Sequence, residues 1–211
     1  MDAKATVAIG AFSRGGRSRV RVNALDHDFR PDTTLVPVGI FLPDYGETYL
    51  YFVQSKVTSD CLVDCVVQFW TAVQARFPQV TTRLINLDNG PENHSRRTQF
   101  IKRLVDFVDT VQLTLQLAYY PPYHSKYNPV ERVWGGLEQH WNGSLLDTLE
   151  AALKFAQSLV WRGRHPWVQL VTTTYHTGVR LSQQAMQQLK QRLERLPTLP
   201  KWFVRIVPLT I

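Results

Sequence analysis

The 211 residues suffice for one sizeable domain, or one domain with a small appendage, and a hydrophobic share of 44% excludes disorder as the default state. A formal net charge of +7 fits a polyanionic partner, because Lys and Arg release counterions on meeting phosphates; a soluble protein that is merely basic fits equally well. No signal peptide opens the chain and no apolar run is long enough to span a bilayer, so the expected compartment is the cytoplasm.

The first sixty residues read as strands. Asp2 belongs to the first of them, ahead of the turn signal Ser13-Arg14-Gly15-Gly16. Val20, Val22 and Ala24 then alternate with Arg19, Arg21 and Asn23, the pattern of a half-buried strand with a basic outer face. A third strand is expected over Thr48–Val53. The period next turns helical at Leu62, Cys65, Val66, Phe69, Trp70, Val73 and Phe77, with Ser59 as the expected N-cap and Pro78 as the stop. Cys61 and Cys65 share one face of this helix, as small apolar side chains; a count of two excludes a disulfide framework, and zinc partners are missing nearby.

Thr82–Leu87 returns to strand character and ends in the turn Asp88-Asn89-Gly90. A second amphipathic helix follows Ser95, marked by Phe100, Ile101, Leu104, Val105 and Val108. From Val111 to Leu117 apolar and polar residues alternate strictly, which predicts a strand. A rigid aromatic loop over residues 118–127 feeds a helix beginning at Asn128-Pro129, with Val130, Val133, Trp134, Leu137 and Trp141 on its buried stripe. Further helices are expected from about Leu145 to Trp161 and after Ser182. Strands mixed with crossover helices predict an α/β fold, and the order matches an RNase H-like mixed five-stranded sheet flanked by helices. Residues 1–144 are expected to form this RNase H-like domain and 145–211 a mostly helical C-terminal extension packed on it.

Three acids fall where such a sheet would gather them. Asp2 lies in the first strand, Asp88 ends the strand after the first helix, and Glu131 sits in the first turn of the helix after the last strand. Carboxylates so placed suit Mg²⁺, a hard cation that takes oxygen ligands in octahedral geometry. Two such ions, about 3.5–4 Å apart, clamp the attacking and leaving oxygens of an in-line phosphoryl displacement. Each acid taken alone has a plainer reading. Glu131 at N3 is ordinary capping chemistry, Asp88 before Asn-Gly is a turn residue, and Asp2 is a solvated chain end. Only their conjunction with the element order argues for a site.

The stretches Asp2–Val7, Asp88-Asn89-Gly90-Pro91-Glu92-Asn93 and Tyr120–Trp134 resemble bacterial insertion-sequence DDE transposases, the ISAzo-thirteen-like family related to mariner-type enzymes. In that group an Asp-Asn turn follows the fourth strand, and the third acid lies in an Asn-Pro-x-Glu-x-x-Trp helix start after a Pro-Pro-Tyr loop. The likeness continues through Trp141-Asn142-Gly143 and Lys201-Trp202 and so covers nearly the whole chain. It implies Asp2, Asp88 and Glu131 as catalytic and metal-binding triad, two Mg²⁺ ions with Mn²⁺ as substitute, double-stranded DNA at transposon ends and target as partner, and a homodimer on DNA.

Glu138, two turns beyond Glu131 on the same face, and Glu92, close to Asp88, are rival acids held as second-rank or structural. Arg14, Arg17, Arg19 and Arg21 form a basic hairpin, and Lys126 sits among Tyr123, His124 and Tyr127; these groups suit phosphate contact or base stacking. Arg96, Arg97, Lys102 and Arg103 decorate a helix, where a solvated surface is the preferred reading of the last two. His27 between Asp26 and Asp28 reads as a surface turn. The chain begins one residue before its first acid, and the resemblance implies helix-turn-helix segments upstream, so a shortened transposase is expected. Two readings stand: a transposase core that cleaves phosphodiesters and transfers strands, or a catalytically silent remnant that folds and binds DNA or a full-length partner. A junction-resolvase type of nuclease fits the motifs less well.

Overall fold

The computed structural model describes residues 1–12, 31, 33–121, 124 and 127–209. The expected strand at 20–24 and His27 lie outside them. The chain forms two compact units that interleave in sequence: one takes Met1, residues 57–128 and 175–211, the other residues 2–56 and 129–174.

In the second unit, strands β1 (Asp2–Ala3), β2 (Val7–Ile9), β3 (Thr33–Leu42), β4 (Glu47–Val53) and β7 (Trp167–Val171) form one sheet beside helices α3 (Pro129–Trp141) and α4 (Leu149–Ser158). Strands β1 and β2 both run antiparallel to β3, with Asp2 opposite Gly39. A tight turn at residues 43–46 joins β3 to β4, and Gly46 takes the left-handed conformation there (φ 64°), which glycine adopts without a Cβ penalty. Strand β7 pairs parallel to β4, Leu50 facing Val168. Residues Thr48–Val53 are all buried, as in a strand covered on both faces. The core of this unit joins Leu35, Leu50 and Phe52 of the sheet to Val130, Trp134, Leu137 and Trp141 of α3. Trp141 is fully buried, and its indole N–H donates to Glu138 Oε2 at 2.7 Å, so its polar atom is satisfied where water cannot reach.

The first unit holds α1 (Ser59–Val73), β5 (Thr82–Leu87), α2 (Thr98–Val111), β6 (Thr114–Tyr119), α5 (Gln183–Lys190), β8 (Leu193–Arg195) and β9 (Phe203–Ile206). Its sheet runs β5-β6-β9-β8. Strands β5 and β6 are parallel with α2 as their crossover, while β6–β9 and β9–β8 are antiparallel. Helices α1 and α2 are fastened by Arg103, whose guanidinium reaches Asp60 at 2.8 Å and Asp64 at 2.6 Å, one helical turn apart. Gln99 donates to Asp60 as well, and the Tyr175 hydroxyl donates to Asp64 at 2.9 Å. Cys61 and Cys65 are buried and free, and their mutual hydrogen bond together with burial pushes the Cys65 thiol up, in keeping with a packing role.

The mixed α/β class is observed, and three expectations need correction. Among the described residues the strands are hydrogen-bonded as two sheets, five-stranded and four-stranded, rather than as one five-stranded sheet. Strand β1, at two residues, pairs along its β3 edge, and so short a segment has too few N–H and C=O groups to carry a second ladder. Residues 145–211 supply β7, β8 and β9 as well as α4 and α5, so they are less helical than expected. The strand expected from Val111 starts at Thr114, because α2 runs through Val111 and ends at Gln112 in the left-handed region (φ 54°). Smaller shifts are the N-cap of α1, which is Thr58 rather than Ser59, and α4, which spans ten residues. Among the described residues no helix is long and apolar enough to cross a membrane.

Candidate active site

Asp2 sits in β1 with only 6% of its surface exposed, unlike a solvated chain end. Its Oδ2 accepts a hydrogen bond from the Trp134 indole N–H at 2.9 Å. The sequence builds this contact from both sides. Val130, Val133, Trp134 and Leu137 recur at helical spacing, which turns the Trp134 edge of α3 onto the sheet. Opposite Asp2 stands Gly39, where a Cβ would lie 2.6 Å from the Trp134 ring and 2.9 Å from Val130. Only glycine leaves room for the indole to lie over the strand and aim its N–H at the carboxylate.

Glu131 lies in the first turn of α3, half-buried, three residues before Trp134 and thus on the same helix face. At the N-terminus of a helix the macrodipole favours its negative charge. Glu138, the rival acid, pairs with Lys4 and accepts the Trp141 N–H, so its carboxylate ties α3 to the segment after β1.

Asp88 follows β5 in the other unit. Its Oδ1 accepts from Asn93 Nδ2 at 2.7 Å and from the Gly90 N–H at 3.3 Å. Asn89 takes φ 64°, and the Asn93 and His94 N–H groups both donate to the Gly90 carbonyl. The Asp-Asn-Gly segment is therefore a true turn, and its turn geometry also fixes one carboxylate oxygen. Asn93 is 6% exposed, and its Oδ1 has no hydrogen-bond partner among the described residues. A buried unpartnered amide oxygen beside a carboxylate is an expensive arrangement unless a donor or cation completes it. Glu92 accepts from Ser59 and pairs with Arg97 at 3.1 Å, so it serves the α1–α2 end of this unit.

Met1 belongs to the same unit as Asp88. Its ammonium donates to the Asn86 carbonyl at 3.0 Å, and its own carbonyl accepts from the buried Asn128 amide at 3.2 Å. The charged amine is thus directed at a backbone carbonyl. Asn128, the residue before α3, spends its side chain on this bond.

Of the expected DNA-contact groups, His124 is exposed and its ring stacks on Tyr127 with centroids 5.8 Å apart. Arg14, Arg17, Arg19, Arg21, Tyr123 and Lys126 lie outside the described residues. Sequence reasoning missed the Trp134–Asp2 and Asn93–Asp88 bonds. The signal for the first was available: a Trp on a buried stripe needs a partner for its N–H. Among the described residues no group of three or more His, Cys, Asp or Glu side chains is arranged to hold a metal ion.

Residues 1–208 match the family model described as Rhodopirellula transposase DDE domain. No curated protein and no solved structure matches the chain.

Proposed function

The chain belongs to the family of Rhodopirellula transposase DDE domains, and from that premise we propose that Asp2, Asp88 and Glu131 are its catalytic acids, held on an RNase H-like plan. The observation that carries the reading is the Asp2–Trp134 hydrogen bond, which ties the first acid to the helical turn that bears the third. In this reading residues 1–144 carry the three acids, and 145–211 supply supporting strands and helices.

By donor chemistry the set suits Mg²⁺, with Mn²⁺ as substitute, since all three are hard carboxylate oxygens with no sulfur or nitrogen ligand, although among the described residues they do not form a group arranged to hold an ion. Asp2, Asp88 and Glu131 would hold the ions, whose chemistry when bound is to acidify an attacking water or 3′-hydroxyl and to stabilise the departing oxygen. The protein's own share is positioning. Trp134 fixes the Asp2 carboxylate, the 88–93 turn fixes that of Asp88, and the α3 N-terminus favours the charged form of Glu131. The reaction is phosphodiester cleavage at the ends of an insertion sequence followed by strand transfer into target DNA, and joining two ends calls for a homodimer on double-stranded DNA.

Duplex DNA carrying the element's ends, incubated with Mg²⁺, tests this. Nicking that depends on Mg²⁺ and disappears in Asp88→Asn is the expected result. Absence of nicking with both Mg²⁺ and Mn²⁺, with DNA binding retained, would make the chain a silent DNA-binding relative.

A further inference from the structure

The unit that contains Asp88 also has a cleft of about 700 Å³. Four of its lining residues are cationic, Arg96, Lys190, Arg195 and Lys201, and none is acidic. They come from the segment before α2, the end of α5, β8 and the turn before β9. Among the described residues Arg96, Lys190 and Lys201 make no ion pair, although the same unit pairs Arg97, Arg103, Arg192 and Arg205 with carboxylates. Arg195 is anchored differently. Its two terminal nitrogens donate to the Pro200 carbonyl at 2.7 Å and the Ser95 carbonyl at 2.6 Å, which holds the guanidinium rigid without neutralising it. Burial lowers its pKa from the usual arginine value, Tyr119 opposes the shift, and Arg96 adds to it, so like charges crowd here.

The cleft also receives the start of α2. Thr98, its first residue, lines the wall, and the N-cap Arg97 makes no side-chain capping bond. The first-turn N–H groups therefore lack the usual side-chain acceptor and carry the positive end of the helix dipole. Met186 and Leu193 give the cleft an apolar wall of the kind that a sugar or base face packs against. Concentrated unpaired positive charge, uncapped helix N–H groups and an apolar wall together fit a phosphodiester chain better than a small free anion.

We propose that this cleft is a second DNA-contact surface that grips the phosphate backbone without reading sequence, through Lys190, Lys201, Arg96 and the α2 N-terminus, with Arg195 as its rigid floor. It rests on the reading of DNA as substrate but uses none of the three acids. Backbone contacts of this kind set register and orientation on the duplex.

The test is fluorescence anisotropy of a labelled duplex with the full chain and a chelator, over a NaCl series. Each phosphate contact contributes about 0.9 to the slope of log affinity against log salt, so Lys190→Ala/Lys201→Ala should lower the slope by roughly 1.8. Between 50 and 200 mM NaCl the unaltered chain should then lose about 12-fold more affinity than the variant. Lys190→Arg/Lys201→Arg should keep the original slope. An unchanged slope in the alanine variant overturns the proposal. So does a variant that loses inorganic phosphate binding, measured by calorimetry, yet binds DNA as before, since that marks a free-anion site. Nicking abolished by Asp88→Asn alongside an unchanged alanine-variant slope would sink this inference and leave the catalytic reading standing.

Discussion

Replacing Trp134 with Phe keeps an aromatic ring on α3 but deletes the N–H that reaches Asp2 Oδ2 at 2.9 Å. The acceptor is a carboxylate with 6% exposure, so water cannot readily replace the donor. Hydrogen bonds to charged groups contribute about 1.5–3 kcal/mol. A loss near 2 kcal/mol corresponds to roughly 4–8 °C in Tm for a chain of this length. Because Phe is also smaller, the hydrogen bond is separated from packing by a double-mutant cycle with Asp2→Ala, read by chemical denaturation. A coupling energy of about 2 kcal/mol is expected; additivity within about 0.5 kcal/mol would refute the reasoning. Gly39→Ala approaches the same contact from the strand side. Its new methyl would lie 2.6 Å from the indole, forcing Trp134 aside at a cost of about 1–3 kcal/mol, and nicking should fall in both variants.

Asn93→Ala removes the 2.7 Å donor to Asp88 Oδ1, and nicking should drop on the order of tenfold with duplex affinity unchanged, as expected for a loss of about 1.4 kcal/mol; weaker duplex affinity at full nicking rate would contradict it. The hydrogen bonds from Arg192 hold the Asp109 carboxyl below its ordinary value against the opposing effect of burial, and the Leu209 N–H adds to them. A depressed carboxylate stabilises the fold above its unfolded pKa, about 3.9, and that contribution fades as pH falls through the folded value. The stability gap between the original chain and Arg192→Ala should accordingly hold from neutral pH to about pH 4 and narrow below it. Denaturant titrations giving a constant gap into that acid range would be the contrary result.

What the sequence made legible was local. The α1 stripe from Leu62 to Val73, the β5 strand and the Pro129 helix start follow from periodicity and from proline's fitness for a first turn, and are where they were expected. Helix α1 itself ends at Val73, short of the expected Phe77 and Pro78, and gives way to a 3-10 turn over Gln74–Arg76. Misplaced boundaries have local causes too. Gln112 ends α2 in a conformation usually given to Gly or Asn, so no composition signal marked the stop. Thr58 and Ser59 are adjacent hydroxyls with equal claim to the cap, and the bond to the Cys61 N–H decides for Thr58. Strands β8 and β9, three and four residues long, are too short to show an alternation. The acids were nominated by a motif, whereas what holds Asp2 comes from a residue 132 positions away, a relation that no spacing rule reaches.

Because the backbone passes from one unit to the other at four junctions, after residues 1, 56, 128 and 174, neither is a continuous stretch of sequence. A single protease cut frees neither of them intact, and a single genetic crossover with a relative exchanges neither of them whole and alone. Variation by exchange of whole modules is closed to such a chain; point changes that keep both halves compatible remain the open route.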